Sequence, residues 1–291
     1  MDTQTNESTC YRKRDVSSPP GKHQDYVWMS DDEIREYRRV NFAKTYKQKR
    51  VPNTSVEGYG RDFIENFELG CTGRDIFTNH LVQDYDWSKD DFTYDWNSFG
   101  WRGPEPDFKA DKKMLFAGGS MTLGTGVPVE NSCVHLAAQA MGYDYINMSD
   151  YDCLTELVEP MRTIGKEYDP DIVCINDTRF IAESGWALNY FMNPKNGVEK
   201  SQRKYYRQML MQTNTDILLM FESFLKQTFP KAKLVFLLAR NRKHFKLPPN
   251  YDHFQMIIYT PEDMTDLGRD CAHPGIKSNQ HFANRLVNEI E

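Results

Sequence analysis

The chain has 291 residues, of which 39% are apolar and 27% charged, and it carries a formal net charge of −6. This describes a globular protein with polar segments, long enough for one large domain with an extension or for two domains. The acidic balance gives no general attraction to nucleic acid or anionic membrane.

No run approaches the roughly 18 apolar residues of a spanning helix. Met1-Asp-Thr-Gln-Thr-Asn6 has neither a basic start nor an apolar core, so no secretory signal is read. The expected location is the cytoplasm, with release or incorporation into a larger particle left open. The six cysteines, Cys10, Cys71, Cys133, Cys153, Cys174 and Cys271, are scattered without a Cys-x-x-Cys pair. Cys174 lies in an apolar run and reads as a small buried hydrophobe. Cys271 and His273 have no second ligand pair at zinc spacing, so neither a metal nor a cofactor is expected.

Residues 1–25 hold Ser, Thr, Pro, Gly and charges with almost nothing apolar, which predicts a disordered or loosely held arm. Residues 26–110 read as an N-terminal extension. It opens on a helix at the capping box Ser30-Asp-Asp-Glu33. The Arg and Lys residues of that helix, from Arg35 to Arg50, suit a solvated face better than a nucleic-acid stripe. An aromatic and acidic segment follows, with Tyr85, Trp87, Phe92, Tyr94, Trp96, Phe99 and Trp101 among Asp84, Asp86, Asp90, Asp91 and Asp95. It suits either a sugar-stacking platform or aromatics pinning an irregular segment onto the next domain; packing is favoured.

From residue 111 to 291 strands and helices alternate. Strands are predicted over 113–117, 143–147, 171–175, 233–239 and 254–259. Helices are predicted over 131–141, 154–167, 201–229 and 275–291. The pattern predicts a three-layer α/β/α sandwich with a central, mostly parallel sheet. Ligands of such sheets sit beyond the carboxyl ends of the strands, where Ser120, Asn147 and Asn176 fall.

A serine hydroxyl needs a base to become nucleophilic, and that base needs an orienting group. Ser120 stands in Phe116-Ala-Gly-Gly-Ser-Met-Thr-Leu-Gly124, whose glycines permit unusual angles and leave room beside the hydroxyl. Near the C-terminus, Asp270-Cys-Ala-His273 puts a carboxylate and an imidazole on one short loop. Taken singly, Ser120 is a turn residue, His273-Pro274-Gly275 a helix start, and Asn147 and Asn176 strand-end caps.

Together these blocks resemble the SGNH (GDSL-type) hydrolase family over about residues 97–291. The nucleophile block matches, with Gly119 where an Asp is common. Ile146-Asn-Met-Ser149 lies at the second block, with Ser149 where a Gly donates its backbone N–H. Cys174-Ile-Asn-Asp177 resembles the third block, with Asn176 as side-chain oxyanion donor and Cys174 replacing the usual Gly. Asp270-Cys-Ala-His273 matches the last block, and Asn97-Ser-Phe-Gly-Trp-Arg102 resembles a common lead-in.

The resemblance implies a flavodoxin-like hydrolase domain and a serine ester hydrolase working through an acyl-enzyme. Its catalytic residues would be Ser120, Asp270 and His273, with Ser120, Ser149 and Asn176 forming the oxyanion hole. Gly119, Arg179 and Trp186 are candidate substrate contacts. The segment 178–191 reads equally as a lid or a packed insertion. The basic loop from Arg240 to Lys246 reads better as solvated than as a receiver for an acidic group. The expected partner is a small or carbohydrate ester, with no nucleic acid and no membrane span. The competing expectation is a weak or inert binding protein on the same scaffold, attached to an assembly through its N-terminal extension.

Overall fold

Short apolar runs such as Leu234-Val-Phe-Leu237 can leave neither face in water, and they pair into a covered sheet. The computed structural model describes residues 12–14, 26–28, 30, 32, 50–59, 62, 71–72, 92–149, 154–177, 199–238, 255–258, 263–270 and 273–290. In chain order the strands are β1 (Arg12–Arg14), β2 (Tyr26–Trp28), β3 (Thr54–Val56), β4 (Cys71–Thr72), β5 (Tyr94–Trp96), β6 (Lys113–Gly118), β7 (Asp144–Ser149), β8 (Ile172–Asp177), β9 (Lys233–Leu238) and β10 (Gln255–Ile258). The α-helices of four or more residues are α1 (Ser120–Leu123), α2 (Cys133–Met141), α3 (Leu154–Pro160), α4 (Lys200–Thr228) and α5 (Ile276–Ile290), and single helical turns stand at Val129–Asn131 and Lys166–Tyr168. The chain groups into two compact units, one of Met1–Glu105, Gly124–Ala137 and Pro261–Glu291, the other of Pro106–Leu123 and Ala138–Thr260.

The second unit holds a parallel sheet in the order β10-β9-β8-β6-β7. Counted from β6 as the first strand, this is the flavodoxin-like order 2-1-3-4-5. The chain leaves β6 for β7 on one side, then passes to β8 on the other. The switch point therefore lies at the carboxyl ends of β6 and β8, where such sheets bind ligands.

Met114, Leu115, Phe116 and Ala117 of β6 are fully buried, as are Val173 and Cys174 of β8 and Val235 and Phe236 of β9. Helices flank this sheet. After α3 the chain makes a π turn, Met161–Gly165, where a side chain in place of Gly165 would meet Leu115 Cδ1 at 3.0 Å. Leu218, Phe221 and Leu225 form the buried stripe of α4, at the three- and four-residue spacing of a helix face.

The α/β fold is thus the expected one, with strand ends shifted by one or two residues. The second strand of this sheet begins at Asp144 and runs to Ser149, so Ser149 belongs to the strand itself. No helix among the described residues is long and apolar enough to cross a membrane.

In the first unit, β1 pairs antiparallel with β2 and β4, and β3 with β5. Arg12–Arg14 falls within the stretch expected as a loose arm, yet it forms a strand held from both sides. The expected helix at Ser30 lies outside the described residues apart from Ser30, Asp32 and Arg50. Tyr94, Trp96 and Trp101 are buried, and Tyr94 packs against Tyr59, Phe92 and Trp96. These aromatics pack within the first unit. Phe99, stacked on Trp101, is exposed, and Tyr85 and Trp87 lie outside the described residues.

Asn97 ties the lead-in into a turn, accepting from the Phe99 and Trp101 amides and donating to the Pro104 carbonyl. Arg102, 1% exposed, donates to the carbonyls of Gly124 at 2.6 Å and Val127 at 2.8 Å. Its guanidinium lies 3.9 Å from the Tyr94 ring centroid. These contacts explain why residues 124–137, expected within the 111–291 domain, group with the extension. The C-terminal segment is tied to residues 124–137 as well, since Asn279 accepts from the Cys133 amide at 3.0 Å. Burial pushes the Cys133 thiol up to about 12, so it stays protonated and behaves as a small hydrophobe.

Candidate active site

The candidate site residues of the second unit gather at the switch point. Ladder register places Gly118 opposite Ser149 on one side and Asn176 on the other. Neighbouring strands lie about 4.8 Å apart, so both partners flank the last residue of β6. A Cβ on Gly118 would come within 2.5 Å of the Asn176 carbonyl oxygen and of Thr122 Oγ1. Glycine at 118 is therefore a packing requirement.

Gly119, buried, follows, and its carbonyl accepts from Leu123 N at 3.1 Å. That bond turns the chain into α1, which begins at Ser120, half-buried. Asn147, 3% exposed, donates through Nδ2 to the Thr122 carbonyl at 3.0 Å and so anchors the turn to β7.

Among the described residues of this unit, three buried polar atoms have no hydrogen-bond partner: Thr122 Oγ1, Asn147 Oδ1 and Asn176 Oδ1. Leaving a buried acceptor unsatisfied costs on the order of 1–3 kcal/mol, so each of them calls for an account. Ser149 and Asn176 are 1% and 6% exposed. Cys174, at the position where the family has glycine, pairs in register with Phe116 and Val235 inside the sheet. Its side chain leaves the strand that carries Asn176 regular.

Asp270 and His273 belong to the first unit. His273 Nδ1 lies 2.5 Å from Asp270 Oδ2, and the His273 amide donates to Asp270 Oδ1 at 3.0 Å. The Asp270 side chain is fully buried, and that of His273 is 23% exposed. A carboxylate at Nδ1 selects the tautomer with the proton there, which leaves the lone pair on Nε2, the position a general base needs.

The loop carrying the pair is closed by Gly268 N donating to the His273 carbonyl at 2.8 Å and by a bridge between Leu267 and Pro274. Asp266, buried just upstream, accepts from the amides of Lys277 at 3.0 Å and Ser278 at 2.8 Å. It caps α5, and so fixes where the His273 loop ends. Asn279 Nδ2 holds the Pro274 and Gly275 carbonyls, each at 2.9 Å.

Sequence reasoning missed Asp266 and Asn279. The only local signal was an acid and an amide flanking the Asp-x-x-His block. Gly124, read as room beside Ser120, and the nearby Gly126 have other neighbours. A Cβ on Gly124 would meet Ser132 Cβ at 2.7 Å, and one on Gly126 would meet Asp270 Oδ1 at 2.9 Å. Both residues have positive φ, +74° and +88°.

Of the predicted residues, Gly119, Ser120, Ser149 and Asn176 stand together in one unit, and Asp270 with His273 in the other. Arg179, Trp186 and the Arg240–Lys246 loop lie outside the described residues. Among the described residues, no group of three or more His, Cys, Asp or Glu could hold a metal ion.

No family model matches the chain, and no curated protein does. Among solved structures, it is similar to an acetyl xylan esterase, Est2A, from the rumen bacterium Butyrivibrio proteoclasticus. That match has 16% identity and a TM-score of 0.43, covering 64% of this chain and 64% of that one. A family two carbohydrate esterase from Clostridium thermocellum, in complex with cellohexaose, matches at 14% identity and TM-score 0.42, covering 64% of this chain and 65% of that one. A carbohydrate esterase family 2 enzyme from Corynascus thermopiles (Myceliophthora fergusii) matches at 14% identity and TM-score 0.42, covering 65% and 68%. Likeness at this level does not carry function over, so function has to be argued from the site.

Proposed function

We propose that the protein is a serine ester hydrolase of the SGNH type, acting through an acyl-enzyme on short acyl esters. The observation that carries this reading is Ser120 just past β6 at the switch point, with Asn176 in register beside Gly118. The Asp270–His273 pair, with Nδ1 engaged by the carboxylate, supports it.

In this mechanism Ser120 Oγ attacks the ester carbonyl carbon while His273 Nε2 takes the hydroxyl proton. The tetrahedral oxyanion is held by the N–H groups of Ser120 and Ser149 and by the Asn176 amide. Collapse breaks the bond to the leaving alkoxide, which receives the proton from His273. Water, activated by the same ring, then releases the acid and restores Ser120. Asp270 stays ionised and holds the imidazolium.

The polar atoms grouped about Gly118 favour a short acyl group, since a long chain needs an apolar wall and burying polar atoms against it is unfavourable. The leaving group is a carbohydrate or another small alcohol.

Initial rates on 4-nitrophenyl acetate, butyrate and octanoate, with acetylated xylo-oligosaccharide alongside, test this reading. The expected result is the highest kcat/KM on acetyl esters, with octanoate at least about tenfold lower, as a few methylenes in an ill-fitting pocket allow. Absence of turnover on every ester would refute hydrolysis. A preference for octanoate would refute the short-acyl assignment.

A further inference from the structure

We infer that the buried Asp62–Arg269 pair, clamped by Tyr94, is a positioning device for the Asp270–His273 dyad, reaching it from the N-terminal extension. The inference rests on the proposed hydrolase reading only in calling that dyad a base.

Asp62 and Arg269 are both fully buried although 207 residues apart in the chain. Arg269 Nε donates to Asp62 Oδ1 at 2.8 Å and Nη2 to Oδ2 at 3.3 Å. Nη2 also donates to the Glu57 carbonyl at 2.9 Å and Nη1 to that of Phe92 at 3.4 Å. The guanidinium lies 3.8 Å from the Phe92 ring centroid. Asp62 Oδ2 accepts from the Tyr94 hydroxyl at 2.5 Å, and that hydroxyl accepts from Gly126 N at 2.9 Å. Arg269 N donates to the Gly126 carbonyl at 2.8 Å, closing a ring of contacts.

A buried ion pair is weak evidence for stability, because desolvation of both charges offsets their attraction. Its location gives it a better account. Arg269 directly precedes Asp270, so every bond that fixes its side chain fixes the backbone carrying the orienting carboxylate. Gly126, held by Tyr94, lies against Asp270: a Cβ there would come 2.9 Å from Asp270 Oδ1. Burial pushes the Asp62 carboxyl up, Arg269 opposes this, and the Asp270 charge adds to the rise. Among the described residues, the titratable and charged groups about Asp270 in this unit are thus His273, Asp62 and Arg269, with Arg102 beyond on the Tyr94 ring.

Asp62→Asn keeps the size of the side chain but leaves the Arg269 charge uncompensated beside Asp270. The guanidinium then competes with the His273 imidazolium for that carboxylate. The His273 pKa should fall by about one pH unit, and kcat on an acetyl ester by about 10²-fold, the cost of misplacing a catalytic group by about an ångström. Tyr94→Phe removes only the hydroxyl clamp and should shift both in the same direction by less.

The test is NMR titration of ¹³C-labelled histidine in the full chain, wild type and both variants, with His273→Gln identifying the signal. Far-UV circular dichroism and thermal unfolding accompany it. A lowered His273 pKa in a folded Asp62→Asn or Tyr94→Phe protein supports the inference; if Asp62→Asn does not fold, Tyr94→Phe decides. An unshifted His273 titration in a folded variant overturns it. The titration needs no substrate, so a shift in a protein that turns over no ester would leave the positioning role standing and remove only the hydrolase reading.

Discussion

Ser120→Ala is expected to lower kcat on an acetyl ester by on the order of 10⁴- to 10⁶-fold while leaving the fold intact. In the proposed mechanism the loss is large because no other group forms the acyl-enzyme. What remains is the activity that an oxyanion hole and substrate binding alone provide. The fold should survive because Ser120 is half-buried at the start of a four-residue helix, and the bond that makes that turn is between backbone groups, Leu123 N to Gly119 O. Steady-state kinetics with thermal unfolding on the same preparations check both halves. Equal rates for the two folded proteins would mean that any activity arises elsewhere.

The second large effect is expected at Asn176. Asn176→Ala should reduce kcat by about 10²–10³-fold with KM little changed, as for loss of one oxyanion donor that acts only in the transition state. Its stability signature should set it apart from an ordinary core lesion. Asn176 is 6% exposed, and its Oδ1 is buried without a hydrogen-bond partner among the described residues. Removing an unsatisfied acceptor relieves a desolvation cost, so the unfolding temperature should stay level or rise. A fall in stability together with an unchanged kcat would assign Asn176 to the scaffold instead.

Much of the second unit was legible in the sequence, because its elements announce themselves locally. Leu234-Val-Phe-Leu-Leu238 is apolar on both faces and can only be a covered strand, and the α4 stripe of Leu218, Phe221 and Leu225 repeats at helical spacing. Strand order was less legible. That β6 lies between β7 and β8 follows from pairing across the sheet, yet it is what brings Ser149 and Asn176 to Gly118.

The first unit was the harder case. Tyr94 and Trp96 were visible as an aromatic cluster, but nothing near Asp62 in the sequence announces a partner at Arg269. The resemblance supplied Asp270 and His273. It was silent on Asp266 and Asn279, which hold their loop through contacts close in the chain, and on Gly126, which lies against Asp270 from a distant segment. Cys174 and Ser149, the two replacements of glycine in the blocks that the chain resembles, proved compatible with regular strands, since both sit in unbroken ladder register.

The central claim is that Ser120 is an activated nucleophile. Its most direct measurement is mass spectrometry of the intact protein, followed by peptide mapping, after exposure to a fluorophosphonate probe at neutral pH. One covalent adduct on the peptide carrying Ser120 is expected, lost in Ser120→Ala and strongly slowed in His273→Gln. A natively folded protein that forms no adduct, or carries it on another residue, would contradict the account.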